Sequence, residues 1–348
     1  DSSPSRGLGD VYKRQSEELY ASMFNEIMTA EGYQIGKAST RMNYSKSGWK
    51  SLIKKSKRKF KKIKEGPYKD KMIKIDKRWA NIEYWKALGQ MVDPVTYGYY
   101  LNAVDLTYDS NKNIIQQPEK RRIYNSTWLL TLEVSILVTL FCLMLGYPIA
   151  YLLASLPLKY SNLLMICVLL PFWTSLLVRT VSWIVILMQK GVFNSVLVWA
   201  GIIADENRMQ LIYNKTGTLI AMTQILLPFM VLPLYSVMKT ISPTYMRAGL
   251  NLGAKPMFAF YKIYMPQTVP GISAGGLLVF VLAIGYFITP ELVGGSEGLL
   301  IGHFIAYHLK TTLNWGLCSA LGAILLAVML LLYWAYNKIV GIENIKLG

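Results

Sequence analysis

The chain has 348 residues, of which 53% are hydrophobic and only 16% charged, with a formal net charge of +17. A soluble domain of this size carries about 25% charged residues, so one water-soluble fold over the whole length is excluded. The charge is segregated: Ser16 to Arg122 holds 22 Lys/Arg against 12 Asp/Glu, and the long apolar runs beyond hold almost none. Cys142, Cys167 and Cys318 each lie in or beside an apolar run with no second cysteine nearby, which excludes a disulfide framework or a cysteine zinc site. His303 and His308 are the only histidines, so no metal and no cofactor is expected.

In chain order, residues 1–15, which end in RGLGDVYKRQ, lack an initiating Met and the apolar core of a signal peptide. They resemble translated adapter sequence and are set apart as non-native. Residues 16–126 read as a basic extramembrane segment. Within it, GYQIGKAST at Gly32–Thr40 has three residues between its glycines instead of four, and Ala38 follows the lysine. It is rejected as a phosphate-binding loop. The run Lys54–Lys64 is nearly pure base and predicts a solvated or flexible stretch. From Trp79 aromatic and aliphatic residues return, enough for a small folded unit that is helical to about Met91, before Asp93-Pro94 marks a turn.

A helix needs about 20 mainly apolar residues to cross roughly 30 Å of hydrocarbon. Five segments qualify: Thr127–Leu153, Asn162–Met188, Thr218–Val237, Thr268–Ile288 and Leu313–Tyr336. The predicted fold class is therefore all-α, a polytopic transmembrane helical bundle over residues 127–348. Interior Pro148, Pro171, Pro228 and Pro233 are tolerable in spans whose neighbours re-satisfy the freed carbonyls. Trp128, Trp183, Trp315 and Trp334 fall near predicted span ends, where amphipathic rings favour the headgroup zone.

The link 239–266 carries Lys239, Arg247, Lys255 and Lys262 and no acid. The positive-inside tendency places it in the cytoplasm. Alternation then puts the 190–217 and 290–312 links outside, the C-terminal tail inside and the segment before Thr127 outside. The first part of the 239–266 link reads as a short helix after Ser242-Pro243, ended or kinked at Pro256, with small Ala248, Gly249, Gly253 and Ala254 beside Leu250 and Leu252. Such a helix suits a groove on a partner, and equally suits the lipid headgroups, held by Arg247, Lys255 and Lys262. Both readings stand on the residues alone. Within the spans, Glu133 and Arg179 are candidates to pair or to face a polar cavity, because a buried charge is expensive unless compensated. No nucleophile–base pair, carboxylate dyad or metal cluster is visible in the sequence, and no enzymatic activity is expected.

The segment Tyr245–Pro266 resembles the E-A-A loop of permease subunits of ABC importers: E-A-A, three residues, Gly, nine residues, I-x-L-P. Arg247, Ala248 and Gly249 take the first three places, Gly253 the glycine, and Ile263 and Pro266 the last, with Met265 for leucine. Arg247 departs from the acidic residue and Gly249 from the second alanine. LGYPIAYLLA at 145–154, LLPFWTSLLVRTVSWIVIL at 169–187, FITPELVGG at 287–295 and LNWGLCSALGAILL at 313–326 are similar to the spermidine/putrescine branch of that family. The likeness runs roughly from Trp79 to Gly348. It implies a non-enzymatic transport subunit in the bacterial inner membrane, with Arg247–Ala254 as a coupling helix seated on a cytoplasmic ATPase dimer. It also implies a second homologous permease, an extracytoplasmic solute-binding protein and lipid as partners, no nucleic acid, and a first, sixth span upstream of Ser16. A polyamine route would be lined by acids and aromatic faces, which makes Glu133, Trp173, Trp183 and Glu291 pathway candidates, and Arg179 joins them as a charge inside a span. The rivals are the same machine for an amino acid, thiamine or iron, and an ion-gradient-driven transporter.

Overall fold

The computed structural model describes residues 16–63, 65–90, 96–109 and 113–340. The chain divides into two compact units, Asp1–Asn102 with Leu106–Gln117, and Ala103–Asp105 with Pro118–Gly348. Residues 1–15, set apart above, and the turn at Asp93-Pro94 lie outside the described residues.

The first unit consists of α1 (Glu17–Thr29), α2 (Gly32–Ser45), α3 (Trp49–Phe60), α4 (Tyr68–Ile75), α5 (Ile82–Gln90) and α6 (Gly98–Asn102). A two-stranded antiparallel ribbon follows, β1 (Leu106–Tyr108) and β2 (Ile114–Gln116). The rejected phosphate loop is part of α2. Its core is aromatic: Tyr20, Trp49, Leu52, Phe60, Met72, Trp79 and Trp85 are each at most 1% exposed. Two of the buried indoles are satisfied, Trp79 Nε1 donating to Ser56 Oγ at 3.0 Å and Trp85 Nε1 to the Trp79 carbonyl at 2.9 Å. The Tyr20 hydroxyl donates to that same carbonyl at 2.7 Å.

The folded unit thus starts at Glu17, well before Trp79. The basic run up to Phe60 is helix α3, not a flexible stretch. Its buried positions, Trp49, Leu52, Ile53, Ser56 and Phe60, recur at three- and four-residue spacing and form one face. Burial of that face outweighs the repulsion between like charges one turn apart, which is worth only ~0.2–0.5 kcal/mol per pair.

Buried Asp76 is the electrostatic centre of this unit. It accepts from Arg78 Nε at 2.9 Å, Arg78 Nη2 at 2.9 Å, Lys55 Nζ at 2.8 Å and the Arg78 amide at 3.1 Å. The Arg78 guanidinium holds the carboxyl well below the usual carboxylate range.

The second unit is a helical membrane bundle of α7 (Tyr124–Ser155), α8 (Leu158–Leu169), α9 (Leu176–Leu187), α10 (Val192–Trp199) and α11 (Lys215–Thr240). Then come α12 (Pro243–Asn251), α13 (Pro256–Gln267), α14 (Val269–Ile284), α15 (Ile288–Val293), α16 (Ile301–Lys310) and α17 (Trp315–Val340). Among the described residues, four stretches can cross a bilayer by length and hydropathy, 124–155, 176–199, 215–240 and 315–338. The pair α13–α14, bent by 61°, brings the number to five when it is taken as one broken span.

The expected second span, Asn162–Met188, is not one helix. Pro171 supplies no amide, the chain tightens into a 3-10 turn at Leu170–Trp173, and Thr174 and Ser175 are extended. The hydrophobic stretch is therefore a shorter helix, Leu158–Trp173, followed by Leu176–Trp199. Pro148, Pro228 and Pro233 do remain inside helices.

Side-chain contacts fix how the spans run. Cys142 faces the Thr223 carbonyl at 3.4 Å, and Lys239 Nζ reaches the Ala154 carbonyl at 3.3 Å, so α7 and α11 are parallel. Gly271 lies against Leu234 and Val237, and Gly275 against Met230, so α14 returns antiparallel to α11. The Tyr336 hydroxyl donates to the Ser273 carbonyl at 2.8 Å, which brings the end of α17 to the start of α14. Ser155, the α12–α13 link and Lys338 consequently share one face of the bundle.

The start of α7 is tied down by a residue that the sequence did not advertise. Asp105, buried and at φ 59°, accepts from the amides of Ile123 (3.0 Å), Tyr124 (3.0 Å) and Asn125 (2.7 Å). A carboxylate at a helix N-terminus satisfies orphan amides and opposes the positive end of the dipole. Below it, Thr127, Thr131, Ser135 and Thr139 each donate to the carbonyl four residues back at 2.6–2.7 Å.

Asp76 yields a first prediction. A carboxyl with a depressed native pKa stabilises the fold above its unfolded pKa of ~3.9 and loses that contribution as pH falls below it. In the full chain, Asp76→Asn should speed hydrogen exchange of the 49–60 amides roughly tenfold or more at pH 7. The gap between variant and parent should narrow below about pH 4. A gap that stays constant down to low pH would contradict the assignment.

Candidate functional site

The α12–α13 link is built on two glycines. Ser242 opens α12, its Oγ accepting from the Thr244 amide at 3.3 Å, with Pro243 at the first helical position. Gly253 closes it at φ +86°. The Gly253 amide donates to the Leu250 carbonyl at 3.0 Å and the Ala254 amide to the Gly249 carbonyl at 3.1 Å, the paired bonds of a Schellman cap. The helix is therefore stopped by Gly253. Pro256, expected to end or kink α12, instead begins α13.

Gly249 is buried because α13 presses on it: a Cβ there would lie 2.3 Å from Ile263 Cδ1 and 3.7 Å from Ala259 Cβ. Phe260–Tyr264 is a π-helical turn, and Pro266 follows within the next short stretch, Met265–Gln267. Arg247 and Ala248 are exposed, and Arg247 makes no ion pair among the described residues. Leu250 is partly open, and Leu252 is 89% exposed, Met257 67% and Phe258 58%. Gly249, Gly253 and Ile263 thus hold the link's shape, while Leu252, Met257, Phe258 and Tyr261 give it an apolar outer face. Met257 and Tyr261 were not singled out in the sequence.

A cluster of aromatic rings joins this link to α7. Tyr151 packs edge-on against Phe260 (5.4 Å between centroids) and Tyr264 (5.3 Å), and Tyr147 Oη lies 3.2 Å from Thr268 Oγ1.

The five pathway candidates separate. Glu133 does not meet Arg179; it pairs with Lys215 at the head of α11. Trp173 sits at the α8–α9 break, 89% exposed. Arg179 and Trp183 stand on α9 and Glu291 on α15, two helices that pack on each other and on α11. Thr180 on α9 and Thr289 on α15 lie 3.1 Å apart through their hydroxyls, and Trp183 Nε1 donates to Gln224 Oε1 at 3.0 Å. Trp183 is therefore engaged with α11 and is not simply an interfacial anchor. Arg179 Nε and Nη1 are shielded from solvent and have no hydrogen-bond partner among the described residues. Glu291 is half-exposed, with His303 Nδ1 3.6 Å away, and His303 stacks on Tyr307. His308 is held between the Tyr124 hydroxyl (2.7 Å) and Thr312 Oγ1 (2.9 Å), a structural clasp between α7 and α16. Among the described residues no group of three His, Cys, Asp or Glu could hold a metal ion.

Comparison with known proteins places this geometry. The family model described as "Binding-protein-dependent transport system inner membrane component" matches residues 146–340. The spermidine/putrescine transport system permease protein PotB of Salmonella typhimurium is 37% identical over 222 residues, 63% of this chain and 77% of that protein. Its namesake in Haemophilus influenzae is 33% identical over 242 residues, 69% of this chain and 82% of that protein. Among solved structures, a chain of a bacterial alginate ABC transporter in complex with an alginate pentasaccharide-bound periplasmic protein aligns with a TM-score of 0.52 at 18% identity. It covers 77% of this chain and 95% of that one, a likeness of fold.

The contact at Gly249 predicts a compensating pair. Gly249→Ala adds a methyl where Ile263 Cδ1 now sits, and Ile263→Val removes that methyl. Each change alone should lower the melting temperature of the purified chain, and the double variant should recover most of the loss, with a coupling of ~0.5–3 kcal/mol. Strict additivity would show that the two residues do not press on each other.

Proposed function

The chain belongs to the binding-protein-dependent transport system inner membrane components, and from that premise we propose that it is the permease of an ATP-driven importer for spermidine, putrescine or a similar small cation. As a member of that family it is a multi-pass inner-membrane transport subunit. The α12–α13 link supports the finer reading. A small-residue helix is stopped sharply at Gly253, braced through Gly249 on Ile263, and carries exposed Leu252, Met257 and Phe258. Those residues offer an apolar ridge to a groove, the helix-in-groove mode of docking, and the groove we assign to it is on a cytoplasmic ATPase dimer. Lys239, Arg247, Lys255 and Lys262 lie in this link and no acid does, which favours its cytoplasmic placement. The first unit, Leu106–Gln117 included, then falls outside the cell.

The polyamine assignment rests on the relatives' names and identity. A half-exposed Glu291 offers a carboxylate to an ammonium group, Tyr307 stacks on the His303 beside it, and Trp183 adds an aromatic face on α9. Arg179 has the sign of the solute, so we give it a positioning role within α9, where its Nε and Nη1 are enclosed by this chain. Solute choice would rest with an extracytoplasmic binding protein. Closure of the ATPase dimer would draw the coupling helices together and open the spans outward.

Two measurements test this reading. Leu252→Asp with Phe258→Asp should abolish copurification of the ATPase while the chain stays in the membrane, and uptake should fall at least tenfold. Uptake that persists without the ATPase and collapses with an uncoupler would replace it with a gradient-driven transporter. Arg179→Gln should reduce uptake about tenfold and leave ATPase copurification intact; unchanged uptake would remove Arg179 from the working parts.

A further inference from the structure

Helix α3 presents a surface that transport does not account for. Its apolar face is spent on the core, so what remains outside is charge. Lys50, Lys54, Arg58 and Lys59 are exposed on the helix, and Lys61 and Lys62 are exposed in the turn after it. Lys50, Lys54 and Arg58 follow one another at four-residue spacing and so form a single stripe. None of the six makes an ion pair among the described residues, and no acid lies between Trp49 and Ile63. Lys55 and Lys57 are different: the first is tied to Asp76 and the second donates to the Ala30 carbonyl at 2.7 Å. The core residues beneath make the stripe a fixed array, since Trp49, Leu52 and Phe60 are fully buried.

Three features define what such an array fits. Cations near the last turn favour the helix dipole, but Lys50 sits in the first turn and is unfavourable there, so helix stability does not explain the whole stripe. The face repels itself at one-turn spacing, and a layer of negative charge would relieve that. Five of the six cations are lysines, and no aromatic or aliphatic side chain stands among them. Cores of protein–protein interfaces are depleted in lysine and centred on apolar and aromatic anchors, whereas hydrated point charges suit a diffuse anionic layer. The same sign also excludes a role in gathering a cationic solute. The six residues Pro118–Ile123 join Gln117 to the first spanning helix at Tyr124, and so short a tether keeps a membrane surface at high effective concentration.

We infer that Lys50, Lys54, Arg58, Lys59, Lys61 and Lys62 form an electrostatic docking surface for anionic phospholipid headgroups. The inference needs neither the identity of the solute nor the side of the membrane. Attraction of this kind acts over a screening length of about 8–10 Å at physiological salt and weakens as salt rises.

The test uses the full chain in lipid nanodiscs made of phosphatidylcholine alone or with 40% phosphatidylglycerol. Acylation of individual lysines is followed by mass spectrometry. With the anionic lipid at 50 mM salt, Lys50, Lys54, Lys59, Lys61 and Lys62 should react three- to tenfold more slowly, while exposed Lys37 on α2 changes less than twofold. At 500 mM NaCl the difference should vanish. In the variant K54Q/R58Q/K59Q, whose changes are all on the solvent face, Lys50 and Lys61 should lose their protection. Equal rates in the two kinds of nanodisc would overturn the inference. So would protection that appears only on adding the solute-binding protein, which would assign the stripe to an acidic protein instead.

Discussion

Three helices of the bundle meet at Met230, and the rest of the membrane unit is arranged around that junction. A Cβ on Gly146 of α7 would lie 3.0 Å from Met230 Cγ, and one on Gly275 of α14 would lie 2.9 Å from its Sδ and 3.1 Å from its carbonyl. Lipid tails are as apolar as leucine, so burying apolar surface does not drive helices together within a bilayer; close backbone approach and dense packing do. Glycine on both flanking helices lets α11 lie close against each. Met230 itself is fully buried, and α11 is the most enclosed of the four continuous spans, with 61% of its apolar stretch buried against 17% for Leu176–Trp199 and 22% for α17. The peripheral spans accordingly keep broad apolar faces open.

A rigid centre of this kind gives the α12–α13 link something to act against. The link reaches the bundle by two routes. One is covalent, through the π-helical turn at Phe260–Tyr264 and the 61° bend into α14; π turns often mark positions where a helix accommodates a functional distortion. The other is lateral, through Tyr151 edge-on to Phe260 and Tyr264, contacts worth ~0.5–1.5 kcal/mol each beyond the area they bury. α12 touches that turn where Gly249 meets Ile263, and the turn itself touches both α14 and α7. The breaks lie elsewhere, at Thr174–Ser175 between α8 and α9 and at Gly285–Phe287 between α14 and α15. Arg179 and Glu291 each lie within about one turn of a break, whereas α7 and α11 are continuous helices.

The spans were legible because twenty apolar residues in a row have few other uses, and the link because small residues and prolines recur there at informative spacing. What misled was the assumption that one residue type decides a segment. In α3 the lysines dominate composition, yet Trp49, Leu52, Ile53 and Phe60 carry the helical period. The pattern was hidden because Ser56 stands where an apolar residue belongs, and is accepted there because it receives the Trp79 indole N–H. At Asn162–Met188 hydropathy was continuous, and the break comes from Pro171, whose tolerance in spans depends on neighbours that a single sequence does not reveal. The Glu133–Arg179 pair failed for a related reason: two lone charges in neighbouring spans suggested each other, while Lys215, just outside its span, was the nearer partner. Asp105 was illegible, since only the fold brings it to the amides at the head of α7.

The hydroxyls of α7 show how the membrane unit satisfies polar groups without water. Thr127, Thr131, Ser135 and Thr139 each return a hydrogen bond to the carbonyl one turn back, which removes the donor from the hydrocarbon but leaves each oxygen free to accept. Thr131 uses that freedom. It receives the Ile301 amide at 2.9 Å, one of the orphan donors at the start of α16, in a place where no solvent could do so. An apolar side chain at Thr131 would pack equally well along α7 and strand that amide. The ladder is thus more than helix decoration: its spacing lets one span cap another, and it ties α16, which carries His303 and His308, to the same helix that Asp105 anchors at its head.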